Sequence, residues 1–60
     1  MNTTEQLQAA MESYLAENEK HNSGNGAAGT RARKALQEMA KLVKERRKEI
    51  TDEKNARKAS

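Results

Sequence analysis

The sequence has no cysteine, no proline, no phenylalanine and no tryptophan, and Tyr14 is its one aromatic residue. Without cysteine, no disulfide can staple the chain, although the absence says nothing firm about redox compartment. Without proline, only the cluster "NSGNGAAG", residues 22–29, can interrupt a helix. A single aromatic ring leaves little for recognising single strands by base stacking. No apolar run reaches the length of a membrane span or a signal-peptide core. A soluble, intracellular protein with no membrane role is therefore expected.

Large apolar side chains are scarce as well. Ten of the twenty apolar residues are alanines, and the bulkier ones are Leu7, Met11, Tyr14, Leu15, Leu36, Met39, Leu42, Val43, Ile50 and the initiating Met1. Sixty residues make one small domain. With so few large side chains and no staple, a monomer is marginal and self-association is the expected remedy.

The glycine-rich cluster divides the chain once. Before it, "NTTEQLQAAMESYLAENEKH" places Leu7, Met11, Tyr14 and Leu15 at helical spacing. Asn2 or Thr3 can cap the start, with Glu5 or Gln6 as capping-box partner. After it, Gly29, Ala32, Leu36, Met39, Val43, Arg46 and Ile50 follow steps of three and four, a heptad seam. Ala28, Ala35 and Leu42 widen that seam. No stretch alternates apolar and polar residues in the manner of a strand. The fold class is all-α: an antiparallel hairpin with helices over 3–21 and 26–57 and a turn at 22–25.

The helices are unequal, roughly 28 Å and 48 Å at 1.5 Å per residue. The first covers about two-thirds of the second, so the overhang "KERRKEITDEKNARKAS" leaves Ile50 without a cover in cis. A homodimer, as a four-helix bundle or coiled coil, would supply one. Gly29 admits two readings. It lies where the helices approach closely beside the turn, the preferred one, or it ends a longer loop and Thr30 caps the helix. The expected core and oligomer set is Leu7, Met11, Tyr14, Leu15, Ala28, Gly29, Ala32, Leu36, Met39, Val43 and Ile50.

Charge is unevenly divided. Residues 1–22 hold four acids against Lys20, a net −3, and residues 23–60 hold eleven bases against five acids, a net +6. With Gly29 at heptad position a, Lys34, Lys41 and Lys48 take f, Arg33, Arg47 and Lys54 take e, and Lys44 and Lys58 take b. Glu38, Glu45 and Asp52 take c, at i,i+4 from the f lysines, which is also what an ordinary solvated helix looks like. The bases exceed what those pairs use, and they lie on the element long enough to follow a phosphate backbone. Candidate DNA contacts are Arg31, Arg33, Lys34, Lys41, Lys44, Arg47, Lys48, Lys54, Arg57 and Lys58.

Other chemistry has little to stand on. His21, beside Glu17 and Glu19, lacks a recognised metal-ligand spacing and reads as an exposed turn residue. "SGNGAAG" lacks the Walker spacing and a preceding strand. There is no catalytic constellation, so no enzyme, cofactor, metal or small-molecule substrate is expected. Tyr14 and the methionines read as core fillers. Arg46 on the seam either lays its stem over apolar surface or sets register against a partner's acid.

The stretch "GNGAAGTRARKALQEMAKLVKERRKE", Gly24 to Glu49, resembles the bacterial histone-like nucleoid proteins of the chlamydial, linker-histone-like type, most specifically in "AAGTRARKALQEM". The resemblance implies a small helical protein that organises DNA in a bacterial nucleoid or a phage genome, located in the cytoplasm. It sets Arg31, Arg33 and Lys34 in the arginine-rich motif and Leu36 and Met39 in the helical core. Members often continue into a lysine- and alanine-rich tail, whereas this sequence stops at "KNARKAS". Modest DNA binding rather than strong condensation is the expectation. The expected function is double-stranded DNA binding without sequence preference. The alternative is a coiled-coil assembly module for an acidic protein or for its own copies.

Overall fold

The computed structural model describes residues 1–59, with Ala59 as backbone only. Two helices account for nearly all of them: α1, Thr3–Asn22, and α2, Gly26–Ala59. Asn2 is the N-cap of α1, and its side-chain oxygen accepts from the Glu5 amide at 2.8 Å. That bond satisfies one of the orphan donors of the first turn. Glu5 in the first turn and Lys20 and His21 in the last complement the helix dipole.

The chain reverses within three residues. The Gly24 amide donates to the His21 carbonyl at 3.0 Å and the Asn25 amide to the Lys20 carbonyl at 3.1 Å. These are the two bonds of a Schellman motif, and Gly24 supplies its left-handed residue at φ +99°. Asn25 then caps α2 at once, its side chain accepting from the Ala28 amide at 3.2 Å. One asparagine thus closes one helix and opens the next. α1 runs one residue past its expected end, where the Schellman bonds close directly on the turn, and α2 runs two past its own.

The two helices pack along their length as an antiparallel hairpin, 54 Å in its longest dimension. Ala28, Ala32 and Leu42 are buried, and Gly29, Ala35, Met39, Arg46 and Glu49 are half-buried. The covered face of α2 therefore runs Ala28, Ala32, Ala35, Met39, Leu42, Arg46, Glu49, again in steps of four and three. It shares Ala32, Met39 and Arg46 with the expected seam. The other row is shifted back by one residue, from Gly29, Leu36, Val43 and Ile50 to Ala28, Ala35, Leu42 and Glu49. On α1 the facing residues are Thr3, Leu7, Ala10, Tyr14 and Glu17, all half-buried.

This corrects several core assignments. Met11, Leu15, Leu36 and Val43 are each 43–55% exposed and do not belong to the hairpin's own core; Ile50, expected to have no cover in cis, is 43% exposed. The apolar stripe of α2 is three rows wide, and one partner helix can cover only two. The alanine row beside the turn admits the closer approach, so α1 settles there and the larger row is left outside.

Gly29 lies within α2, which settles its two readings in favour of close packing, but against a side chain. A Cβ built there would stand 2.7 Å from Nδ1 of His21, and the three atoms nearest to it all belong to that ring. His21 is thus exposed yet folded back over the second helix. At the open end, Thr3 donates its hydroxyl proton to Glu49 at 2.5 Å. Arg46 donates to Glu49 and to Glu53, both at 3.0 Å. The seam arginine is therefore engaged in cis, with acids of its own helix.

Candidate nucleic-acid interface

The face of α2 turned away from α1 follows from the covered seam. With Ala28, Ala32, Ala35, Met39, Leu42, Arg46 and Glu49 inward, heptad rows b, e and f point outward. Row b is Thr30, Gln37, Lys44, Thr51 and Lys58. Row e is Arg33, Ala40, Arg47 and Lys54, and row f is Lys34, Lys41, Lys48 and Asn55. Every one of these residues is exposed. The strip holds eight bases and no acid, so its field is of one sign along nearly the whole helix.

None of those eight bases is engaged. Arg33, Lys34, Lys41, Lys44, Arg47, Lys48, Lys54 and Lys58 make no ion pair or side-chain hydrogen bond among the described residues. The i,i+4 pairing of Lys34 with Glu38, Lys41 with Glu45 and Lys48 with Asp52 that the spacing permits does not form within 4.0 Å. The lysines extend outward and the acids lie one row closer to α1.

The remaining bases behave differently. Arg31 donates through Nε to Glu17 of α1 at 2.8 Å, bracing the hairpin near the turn, with about half of its side chain exposed. Lys20 stands 4.0 Å from the same carboxylate. Arg57 is also partnered. Arg46 is held by Glu49 and Glu53, and these hydrogen bonds, that to Glu49 foremost, raise its pKa. Glu49 is held below the usual carboxylate range, first by the Thr3 hydroxyl and then by Arg46. Sequence reading missed Glu17, Thr3 and Glu49 as partners. Their signal was Glu17 on α1, within reach of Arg31 once the helices are antiparallel, and Glu49 on the seam of α2, three residues from Arg46.

Two shallow grooves lie on the outer strip. One is lined by Thr30, Arg33, Lys34 and Gln37, the other by Lys44, Arg47, Lys48, Ile50 and Thr51. Neither has an acid in its lining. Between the helices, Tyr14, Asn18, His21, Gly29 and Leu36 line a groove on one side of the hairpin. Ser13, Glu17, Arg31, Ala35 and Glu38 line one on the other. Met11 and Leu15 share the α1 row of Asn18, and Val43 and Ile50 share the α2 row of Leu36. Met11, Leu15, Leu36, Val43 and Ile50 therefore lie on one side of the molecule.

Among the described residues no three His, Asp or Glu side chains are disposed to hold a metal ion. No described helix is long and apolar enough to cross a membrane.

Residues 1–56 match the model of the family described as histone H1-like protein Hc1. No curated protein and no solved structure gives a significant match. The match spans nearly the whole chain, and the chain belongs to the histone H1-like Hc1 family. That is a family of DNA-binding architectural proteins associated with nucleoid organisation, not an enzyme family.

Proposed function

We propose that this Hc1-family chain binds double-stranded DNA without sequence preference, through phosphate contacts made by the outer strip of α2. The observation that carries the reading is the strip itself: eight exposed bases, no acid among them, and no side-chain partner for any among the described residues. Arg33, Lys34, Lys41, Lys44, Arg47, Lys48, Lys54 and Lys58 are the bases available for contact, with Arg57 on a neighbouring row near the end of the strip. Arg31, already tied to Glu17, acts first as a brace and only secondarily as a contact. A straight helix of this length meets phosphates without entering a groove to read bases. The protein would act on a nucleoid or on a phage genome in the cytoplasm.

The test is fluorescence anisotropy of a labelled random-sequence duplex at about 50 and 200 mM salt. An affinity falling on the order of 10³-fold between them corresponds to about six or more phosphate contacts. Negligible binding at the lower salt would sink the reading and bring the assembly module to the front.

The chain works as a dimer, through the side carrying Met11, Leu15, Leu36, Val43 and Ile50. Five large apolar side chains left 43–55% exposed on a chain this small call for a cover, and a second copy fits. Charge favours laying acidic α1 of one copy over basic α2 of the other, with the two outer strips facing opposite ways. Sedimentation of Val43→Glu checks this: the hairpin keeps its helicity while the dimer is lost. A monomeric wild type at tens of micromolar would refute it.

A further inference from the structure

We infer that α2 carries two discrete phosphate-binding sites, spaced to hold the two sugar–phosphate ribbons on either side of one major groove. This rests on the reading of the chain as a duplex-DNA binder. The first site is Thr30, Arg33, Lys34 and Gln37; the second is Lys44, Arg47, Lys48 and Thr51, with the apolar Ile50 at its border. In each, the four residues stand at i, i+3, i+4 and i+7, the diamond of nearest neighbours on one helix face. The same adjacent pair, arginine then lysine, occupies the centre of both.

The chemistry of the two diamonds suits a phosphate. Arginine offers a fork matched to two oxygens and lysine a compact charge beside it. The first site adds the Gln37 amide as a donor, and the second adds Lys44. Thr51 already donates its hydroxyl proton to the Arg47 carbonyl at 3.1 Å, so it lines the second site without donating there. The intervening diamond, Gln37, Ala40, Lys41 and Lys44, has alanine where the others have arginine. Bidentate capacity is therefore concentrated at two points and is not spread evenly.

Fourteen residues separate equivalent positions of the two sites, as Arg33 from Arg47. On an α-helix that is about 21 Å along the axis and close to four full turns, so both sites face nearly the same way. The major groove of B-DNA is about 12 Å wide between its flanking ribbons and the minor groove about 6 Å. With the thickness of the ribbons added, 21 Å reaches from one backbone to the other across the major groove and overshoots the minor. The helix lies over the mouth of the groove, its charges on the rims.

The test compares duplex affinity and its salt dependence for four variants, each checked for unchanged helicity by circular dichroism. Arg33→Gln with Lys34→Gln, and Arg47→Gln with Lys48→Gln, should each lower the salt slope by about 1.8, equivalent to about 60-fold in affinity at 0.1 M salt. A third variant adds Glu45→Gln and Asp52→Asn to the second pair, restoring the wild-type net charge. It should remain as weak as the pair variant. Lys41→Gln with Lys54→Gln, two charges removed outside both sites, should cost markedly less. Recovery of binding by the charge-restored variant, or an equal loss from the Lys41 and Lys54 pair, would overturn the two-site arrangement while leaving duplex binding standing. A wild type that does not bind duplex would remove the underlying reading as well. A dye filling the major groove should compete; competition by one filling the minor groove instead would overturn the groove assignment.

Discussion

At the turn, α1 and α2 meet over Ala28 and Ala32, with His21 laid across Gly29 and backbone bonds closing the reversal. At the open end they meet through the Thr3 hydroxyl, which donates to Glu49, a carboxylate that Arg46 of the same helix also holds. One hairpin is thus held by close packing and the Arg31–Glu17 ion pair at one end, and by a hydrogen bond to a carboxylate at the other. The difference assigns the two ends different sensitivities. Volume should govern the turn end, and the protonation of Glu49 the open end. Leu42, 3% exposed, sits between them and is the largest side chain in the buried core.

The largest effect should come from that middle position. Leu42→Ala removes a buried leucine with little chance of collapse around the gap, and such changes cost about 2–5 kcal/mol. In a domain this small, that is a large part of the whole stability. Urea unfolding followed by circular dichroism should show the transition lost or moved to much lower denaturant. Next is the turn end. Ala28 is fully buried, and Ala28→Leu forces bulk between helices that touch there, at about 1–3 kcal/mol. The matching change at exposed Ala40 should be close to neutral, and its difference from Ala28→Leu measures how tight the turn end is.

How much of this was legible in the sequence follows from the same residues. Caps and turn were readable, because Asn2, Gly24 and Asn25 act locally, each through a bond to a backbone group a few residues away. The antiparallel pairing and the overhang followed from helix lengths. The rotation of α2 was not readable from periodicity alone. Leu36, Val43 and Ile50 outweigh Ala28, Ala35 and Glu49 in hydrophobicity, yet small size set the seam, and size matters only once a partner helix is there to approach. Arg46 and Glu49 misled for a related reason. A charged seam looks unfavourable until Thr3 and Glu53 are placed beside it. The outer strip was half legible. Its bases were visible, but its freedom from acids appears only after the seam is rotated back by one residue.

The open end should answer to acid. Glu49 has its folded pKa depressed by the Thr3 hydroxyl and Arg46. A depressed carboxylate contributes stability above its unfolded pKa and loses it as pH falls through the lower, folded value. Protection of amides in the first turn of α1, around Glu5 and Gln6, should therefore weaken as pH drops from neutral to below the ordinary carboxylate range. Amides of α2 just after the turn should change less. Glu49→Gln should reproduce that loosening at neutral pH and remove most of the pH dependence. Equal loosening of both ends on acidification would break the comparison.

The smallest effect tests whether the close approach at the turn belongs to backbone or side chain. Gly29 lies inside a helix, where glycine is about 1 kcal/mol less favourable than alanine. The three atoms a Cβ would stand nearest to all belong to the His21 ring, and that residue is exposed. The ring can swing into solvent, while the helix backbones need not part. Gly29→Ala should thus be mildly stabilising, by less than about 1 kcal/mol, since the gain in propensity is partly offset by the lost ring contact. Introducing it into His21→Ala should recover the full gain, because no ring is left to displace. Thermal melts of the four proteins in that cycle decide the matter. A Gly29→Ala penalty that persists without the His21 ring would mean that the backbones themselves touch, and that the glycine is there for the fold and not merely tolerated by it.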